Sequence, residues 1–121
     1  MEIRKITRND INAVAKLLAD RHRKERAIFQ GLNPVFEEKS IVKDIISKMF
    51  EEDIVIAIGA FEDSELIGYI ISHVMKDHTF GRCAWVKYEG TAISESADPE
   101  VYRELYRYIA DLWLAAGCLK H

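Results

Sequence analysis

Residues 54–61 and 66–75 are two apolar runs, IVIAIGAF and LIGYIISHVM, rich in β-branched side chains and parted only by Glu62-Asp63-Ser64-Glu65. Neither run alternates apolar with polar positions. A strand that is apolar on both faces has to be covered on both faces, so it belongs inside a layered structure. So short a polar connection cannot carry a crossover, and it makes the two runs an antiparallel hairpin. This hairpin requires partners on each side of the sheet, and the remaining segments have to supply them.

They do so in a simple order. Residues 2–7 read as a short first strand. Thr7-Arg8-Asn9-Asp10 matches the S/T-x-x-D/E capping pattern, in which side-chain oxygens accept the free N–H groups of a first helical turn. Ile11, Val14, Ala15, Leu17 and Leu18 follow at helical spacing and predict a helix over 9–26. Gly31, Asn33 and Pro34 break the chain over 27–36. A second helix is predicted over 37–51, with Ile41, Val42, Ile45, Ile46, Met49 and Phe50 in one stripe. After the hairpin, a turn over 76–82 leads to a third strand over 84–93. Gly90 inside it predicts a bulge or a close backbone approach. Tyr88 is expected in the core and Glu89 on the opposite face.

The last element is a helix with Asp98 as its cap, Pro99 at the first helical position and Glu100 at the positive end of the dipole. Val101, Leu105, Tyr106, Ile109, Leu112, Trp113 and Ala116 form its stripe, and Gly117 ends it. Tyr102, Tyr108 and Trp113 are also read as core by spacing. The predicted order is β-α-α-β-β-β-α. The fold class is α/β of the α+β type, a mixed, mostly antiparallel sheet flanked by helices.

Composition sets the limits. With 121 residues, 49% hydrophobic and 31% charged, the chain suits one domain over 1–121. The net charge of -3 argues against a nucleic-acid partner, which clustered Lys and Arg would hold. No run approaches the ~20 apolar residues that span a bilayer, so no membrane partner is expected. The charged start Met1-Glu2-Ile3-Arg4-Lys5 does not read as a secretory signal. Two cysteines, Cys83 and Cys118, make no disulfide scaffold, and the expected setting is the reduced cytoplasm.

Three stretches resemble the GNAT superfamily of N-acetyltransferases. Residues 3–11 (IRKITRNDI) are similar to its opening strand and the acidic-apolar start of its first helix. Residues 60–69 (AFEDSELIGY) are similar to its central hairpin, where a polar turn precedes an apolar-Gly-apolar strand. Tyr88 to Ile93, with the helix ending Ala115-Ala116-Gly117-Cys118, is similar to its core strand and cofactor helix. The resemblance implies a GNAT-like fold, acetyl-CoA as co-substrate and a small-molecule or amine acceptor. It implies that the core strand ends against a helix N-terminus whose amides cradle the coenzyme A pyrophosphate. By the same resemblance, Ala92, Ile93, Ser94, Ser96 and Val101 are the expected cofactor contacts and Glu89 the expected general base. Phe29 and Phe36, flanking the 31–34 loop, are expected at the acceptor entrance.

The chain also departs from that pattern. The family supplies an R/Q-x-x-G-x-G/A loop, but the matching stretch here, Ser94-Glu95-Ser96-Ala97-Asp98-Pro99-Glu100, has no glycine. Pro99 removes an amide donor. Glu95, Asp98 and Glu100 put negative charge where a phosphate would sit. The family fold also continues beyond the last helix with a strand, a helix and a closing hairpin, and its general-acid tyrosine lies in that portion. The expectation is therefore an acetyltransferase-like domain related to the acetyl-CoA-dependent N-acyltransferases, incomplete or weakly active as it stands. The alternative is a degenerate, non-catalytic module serving packing or dimerisation, with a second copy or a second GNAT domain as partner.

The remaining chemistry-bearing residues fit no further site. His73, His78 and Cys83 have no zinc spacing, and Cys118 to His121 is half a site, so no metal is expected. His22 stands alone. Arg21, Arg23, Lys24 and Arg26 are read as complementing a helix C-terminus.

Overall fold

The computed structural model describes residues 1–51, 54–77, 81–118 and 120–121, with only the backbone of residues 35, 36, 39 and 77. Strand β1 (Glu2–Lys5) leads to helix α1 (Ile11–Ile28) and helix α2 (Lys39–Met49). Strands β2 (Val55–Glu62), β3 (Glu65–Asp77), β4 (Gly81–Trp85) and β5 (Thr91–Ile93) follow, and helix α3 (Glu100–Ala115) closes the described chain. Short 3-10 turns lie at Arg8–Asp10, Pro34–Glu37 and Tyr88–Gly90.

The hairpin is the centre of the sheet. Asp63 and Ser64 take φ of 50° and 68°, both left-handed, as a tight turn matched to strand twist requires. β2 and β3 pair antiparallel from Glu62↔Glu65 to Val55↔His73, with one register shift at Ala60/Phe61. β1 adds to β2, and β4 and β5 both add to β3, all antiparallel. One isolated parallel bridge outside the strands, Cys83↔Lys120, adds to the β4 edge, with Ala84 N–H donated to the Lys120 carbonyl at 3.0 Å.

Both faces are covered, as apolar strands demand. Val14, Leu17 and Leu18 of α1 and Val42, Ile46 and Met49 of α2 pack with Ala57, Phe61, Tyr69 and Ile71 on one face. Val101, Leu105, Ile109 and Trp113 of α3 pack with Ile58, Ala60, Ile70 and Val74 on the other. Trp113 Nε1–H donates to Ser72 Oγ at 2.9 Å, and Ser72 donates in turn to the Ile56 carbonyl at 2.8 Å. A polar chain thus pins α3 to the sheet in the middle of apolar surface.

The region expected as one strand over 84–93 is two. β4 pairs with His73–Asp77 and β5 with Gly68–Ile70, so the intervening chain leaves the ladder beside Ile71 and Ser72. It turns through Tyr88–Gly90 and returns. Gly90 makes this possible, since a Cβ there would sit 2.6 Å from the Ile71 carbonyl oxygen. The close approach expected at Gly90 is thus a 3-10 turn pressed onto β3. Tyr69 Oη–H donates to the Glu89 carbonyl at 3.0 Å, and Thr91 Oγ1–H donates to the Tyr69 carbonyl at 3.0 Å.

Two aromatic expectations change. Tyr88 is 39% exposed and lies in the turn rather than in the core. On α3 only Trp113 of the aromatic set is buried; Tyr106 and Tyr108 are exposed, because the buried row Val101-Leu105-Ile109-Trp113 runs strictly every fourth residue.

Candidate functional site at the start of helix α3

β5 delivers the chain to a loop, 94–99, that opens α3. An α-helix start leaves N–H groups without partners, and this is what an anion uses. Here the protein uses them itself. Ser94 N–H goes to the Ile67 carbonyl at 2.7 Å and Ala97 N–H to the Ser94 carbonyl at 3.0 Å. Glu100 N–H goes to the Asp98 carboxylate at 2.9 Å. Val101 and Tyr102 N–H go to the carbonyls of Asp98 and Pro99 at 2.9 and 3.1 Å. Pro99 has no N–H. The Glu95, Asp98 and Glu100 side chains all belong to exposed residues at this end. A pyrophosphate would meet three carboxylates and find these amides taken. The residues present do not fit the phosphate end of coenzyme A at this place.

The other expected positions scatter. Ala92 is buried in the core on the α1 side of the sheet, and Val101, in the first turn of α3, is buried against the other face with its N–H used. Ile93 and Ser94 are half-buried, and Ser94 Oγ lies 3.1 Å from Ser96 Oγ. Glu89 is half-buried in the turn, and its carbonyl is held by Tyr69. Phe29 is 65% exposed just past the end of α1, and the Phe36 side chain lies outside the described residues. Of these, Ile93 and Ser94 alone line a cavity of about 460 Å³, which Arg21, Lys24, Glu25, Glu95 and Tyr102 also border. Lys24 Nζ and the Glu95 carboxylate stand 3.8 Å apart beside it.

A second, larger hollow of about 660 Å³ lies along β4 and the aromatic side of α3, lined by Trp85, Val86, Tyr102, Tyr106, Trp113 and His121 among others. Trp85 is 52% exposed there. His78 lies outside the described residues; His73 and Cys83 are buried on β3 and β4.

The most connected polar group was not visible as a unit in the sequence. Arg21 Nε–H donates to Glu25 at 3.0 Å, and its Nη1 donates to the carbonyls of Tyr88, at 2.9 Å, and Thr91. The guanidinium also lies 4.3 Å from the Tyr88 ring centre. Tyr88 Oη–H donates to the Glu25 carboxylate at 2.6 Å, and His22 Nδ1 lies 2.9 Å from Tyr88 Oη. Burial, with Glu25 beside it, pushes the Tyr88 phenol up to about 12. Burial pushes Glu25 up, but hydrogen bonds from Tyr88 and Arg21 and the Arg21 charge outweigh it and leave Glu25 below the usual carboxylate range. Arg21 and Glu25 at i,i+4 on one helix were a readable pair; their partner, far along the chain, was not.

Several solved structures described as acetyltransferases share this architecture. The ribosomal-protein-alanine N-acetyltransferase of Brucella melitensis biovar Abortus 2308 matches with a TM-score of 0.72 at 17% identity, over 99% of this chain and 76% of that one. A Clostridium acetobutylicum protein, described as a predicted acetyltransferase with acetyl-CoA, matches at 0.69 and 14%, over 98% and 77%. An aminoglycoside N-acetyltransferase in complex with CoA matches at 0.68 and 14%, over 98% and 72%. No family model and no curated protein sequence matches the chain. The chain has the GNAT acetyltransferase fold: an antiparallel sheet with three α-helices on its faces. Among the described residues, no helix is long and apolar enough to cross a membrane.

Proposed function

We propose that this chain is an acetyltransferase-like domain, related to the acetyl-CoA-dependent N-acyltransferases, that has given up the phosphate cradle and serves as a packing module. The observation that carries this reading is the Asp98 carboxylate on the Glu100 amide, an internal anion where a bound one would sit. A domain with its helix start filled in this way does not hold acetyl-CoA by its pyrophosphate. What it offers is the apolar hollow beside β4, with Trp85 exposed next to a strand edge, and a second copy of the chain is its partner. The reading includes a cytoplasmic setting, in keeping with free thiols at Cys83 and Cys118.

Sedimentation of the full chain and of Trp85→Glu tests it, alongside an acetyl-transfer assay on a panel of amines. A dimer that Trp85→Glu dissociates, with no transfer, supports it. A monomer that acetylates an amine overturns it.

A second reading, an active N-acetyltransferase, is favoured by neighbours solved with acetyl-CoA or CoA. Under it, Glu89 is the general base, and Ala92, Ile93, Ser94, Ser96 and Val101 face the cofactor. Phe29 and Phe36 border the amine acceptor.

A further inference from the structure

His22 is 3% exposed, and both its ring nitrogens meet oxygen atoms. Nε2 faces the Asn33 carbonyl, which can only accept, so Nε2 carries a proton. Nδ1 faces Tyr88 Oη at 2.9 Å. That hydroxyl has one proton, and it points along the 2.6 Å contact to the Glu25 carboxylate. An ionised carboxylate cannot donate, so the phenol oxygen is left to accept from Nδ1. The short contact to Glu25 has the length of a charge-assisted O–H···O bond, which fits this direction.

We propose that His22 carries a proton on both ring nitrogens, and that this ring, with Tyr88, Glu25 and Arg21, forms a proton-dependent clasp holding the Tyr88–Gly90 turn and β5 against α1. The device spans the break in the sheet. Arg21 grips the carbonyls of Tyr88 and Thr91, at the start of the turn and the start of β5. His22 and Glu25 grip the Tyr88 side chain. Both grips come from one turn of α1, so loss of the His22 proton removes one donor and turns the Tyr88 hydroxyl away from Glu25. The charged groups on the elements involved are Lys16, Asp20, Arg21, Arg23, Lys24, Glu25 and Arg26 on α1; Glu37 beside the Asn33 segment, ion-paired to Arg26 at 2.9 Å; and Lys87 and Glu89 around the turn. Arg21 opposes a second positive charge nearby, and the Glu25 carboxylate offsets it. The clasp does not depend on whether the domain binds a cofactor.

Ring nitrogen NMR of the full chain at pH 7.5 tests it, with His22 assigned by its loss in His22→Gln. An ordinary histidine is only about one-tenth protonated at that pH. The expected spectrum shows His22 with both ring N–H groups. In Glu25→Gln the new amide donates to the Tyr88 oxygen and frees the phenol proton for Nδ1, so His22 is expected to show one ring proton. Amide exchange at Gly90 and Thr91 is expected to quicken severalfold. Tyr88→Phe gives the same readout by removing the acceptor. A single ring proton on wild-type His22 at pH 7.5 overturns the proposal, as does a doubly protonated ring unchanged in both variants.

Discussion

The Asp98 carboxylate accepts the Glu100 backbone N–H at 2.9 Å, two residues along the chain. The bond turns the loop into α3 and uses up a donor that an anion would need. Asp98→Ala is expected to cost about 1 kcal/mol of stability, the usual worth of such a cap. Urea unfolding followed by far-ultraviolet circular dichroism measures it. An unchanged midpoint would mean that the carboxylate does not hold the helix start.

Trp113 and Ser72 meet at 2.9 Å inside the α3 layer, where neither group reaches water. Ser72→Ala leaves the indole N–H buried without its acceptor, at about 1–3 kcal/mol. The loss is expected in the unfolding midpoint, together with a shift in tryptophan emission.

Gly90→Ala places a Cβ 2.6 Å from the Ile71 carbonyl oxygen, and backbone on both sides has to give. About 1–3 kcal/mol is expected for forced overpacking of this kind. Gly31→Ala meets nothing within 4 Å and is expected to stay within about 0.5 kcal/mol of wild type. Equal effects at the two sites would contradict the tight turn on β3.

Tyr88 is pushed up to about 12 by burial and by Glu25. A phenol raised in the folded state stabilises the fold fully below its ordinary value near 10, and that contribution fades as pH rises through about 12. Absorbance at alkaline pH is expected to show a late-titrating phenol that is missing in Tyr88→Phe, while the buried Tyr69, raised still further by desolvation, remains in both proteins. The stability gap between wild type and Tyr88→Phe is expected to shrink over the same range.

The sheet was legible because its evidence is local. The two-face-apolar runs, the polar turn and the helical stripes each declare themselves within a few residues. The capped start of α3 was legible for the same reason, and the Asp98 bond lies where the Asp-Pro-Glu order placed it. The break at 86–90 was not. Gly90 signalled an anomaly, but only the distance to Ile71 turns a bulge into a 3-10 turn, and that distance is set by pairing across the sheet. The Arg21–His22–Glu25–Tyr88 group was missed for a similar reason. His22 looked isolated and Tyr88 looked like core, since neither spacing nor composition tells that residues 66 positions apart share a hydroxyl.

The account stands most directly on calorimetric titration of acetyl-CoA into the full chain at neutral pH. Heat of dilution alone, up to millimolar ligand, is the result it predicts. Saturable one-to-one binding in the micromolar range, weakened by substitution in the 94–100 segment, would contradict it.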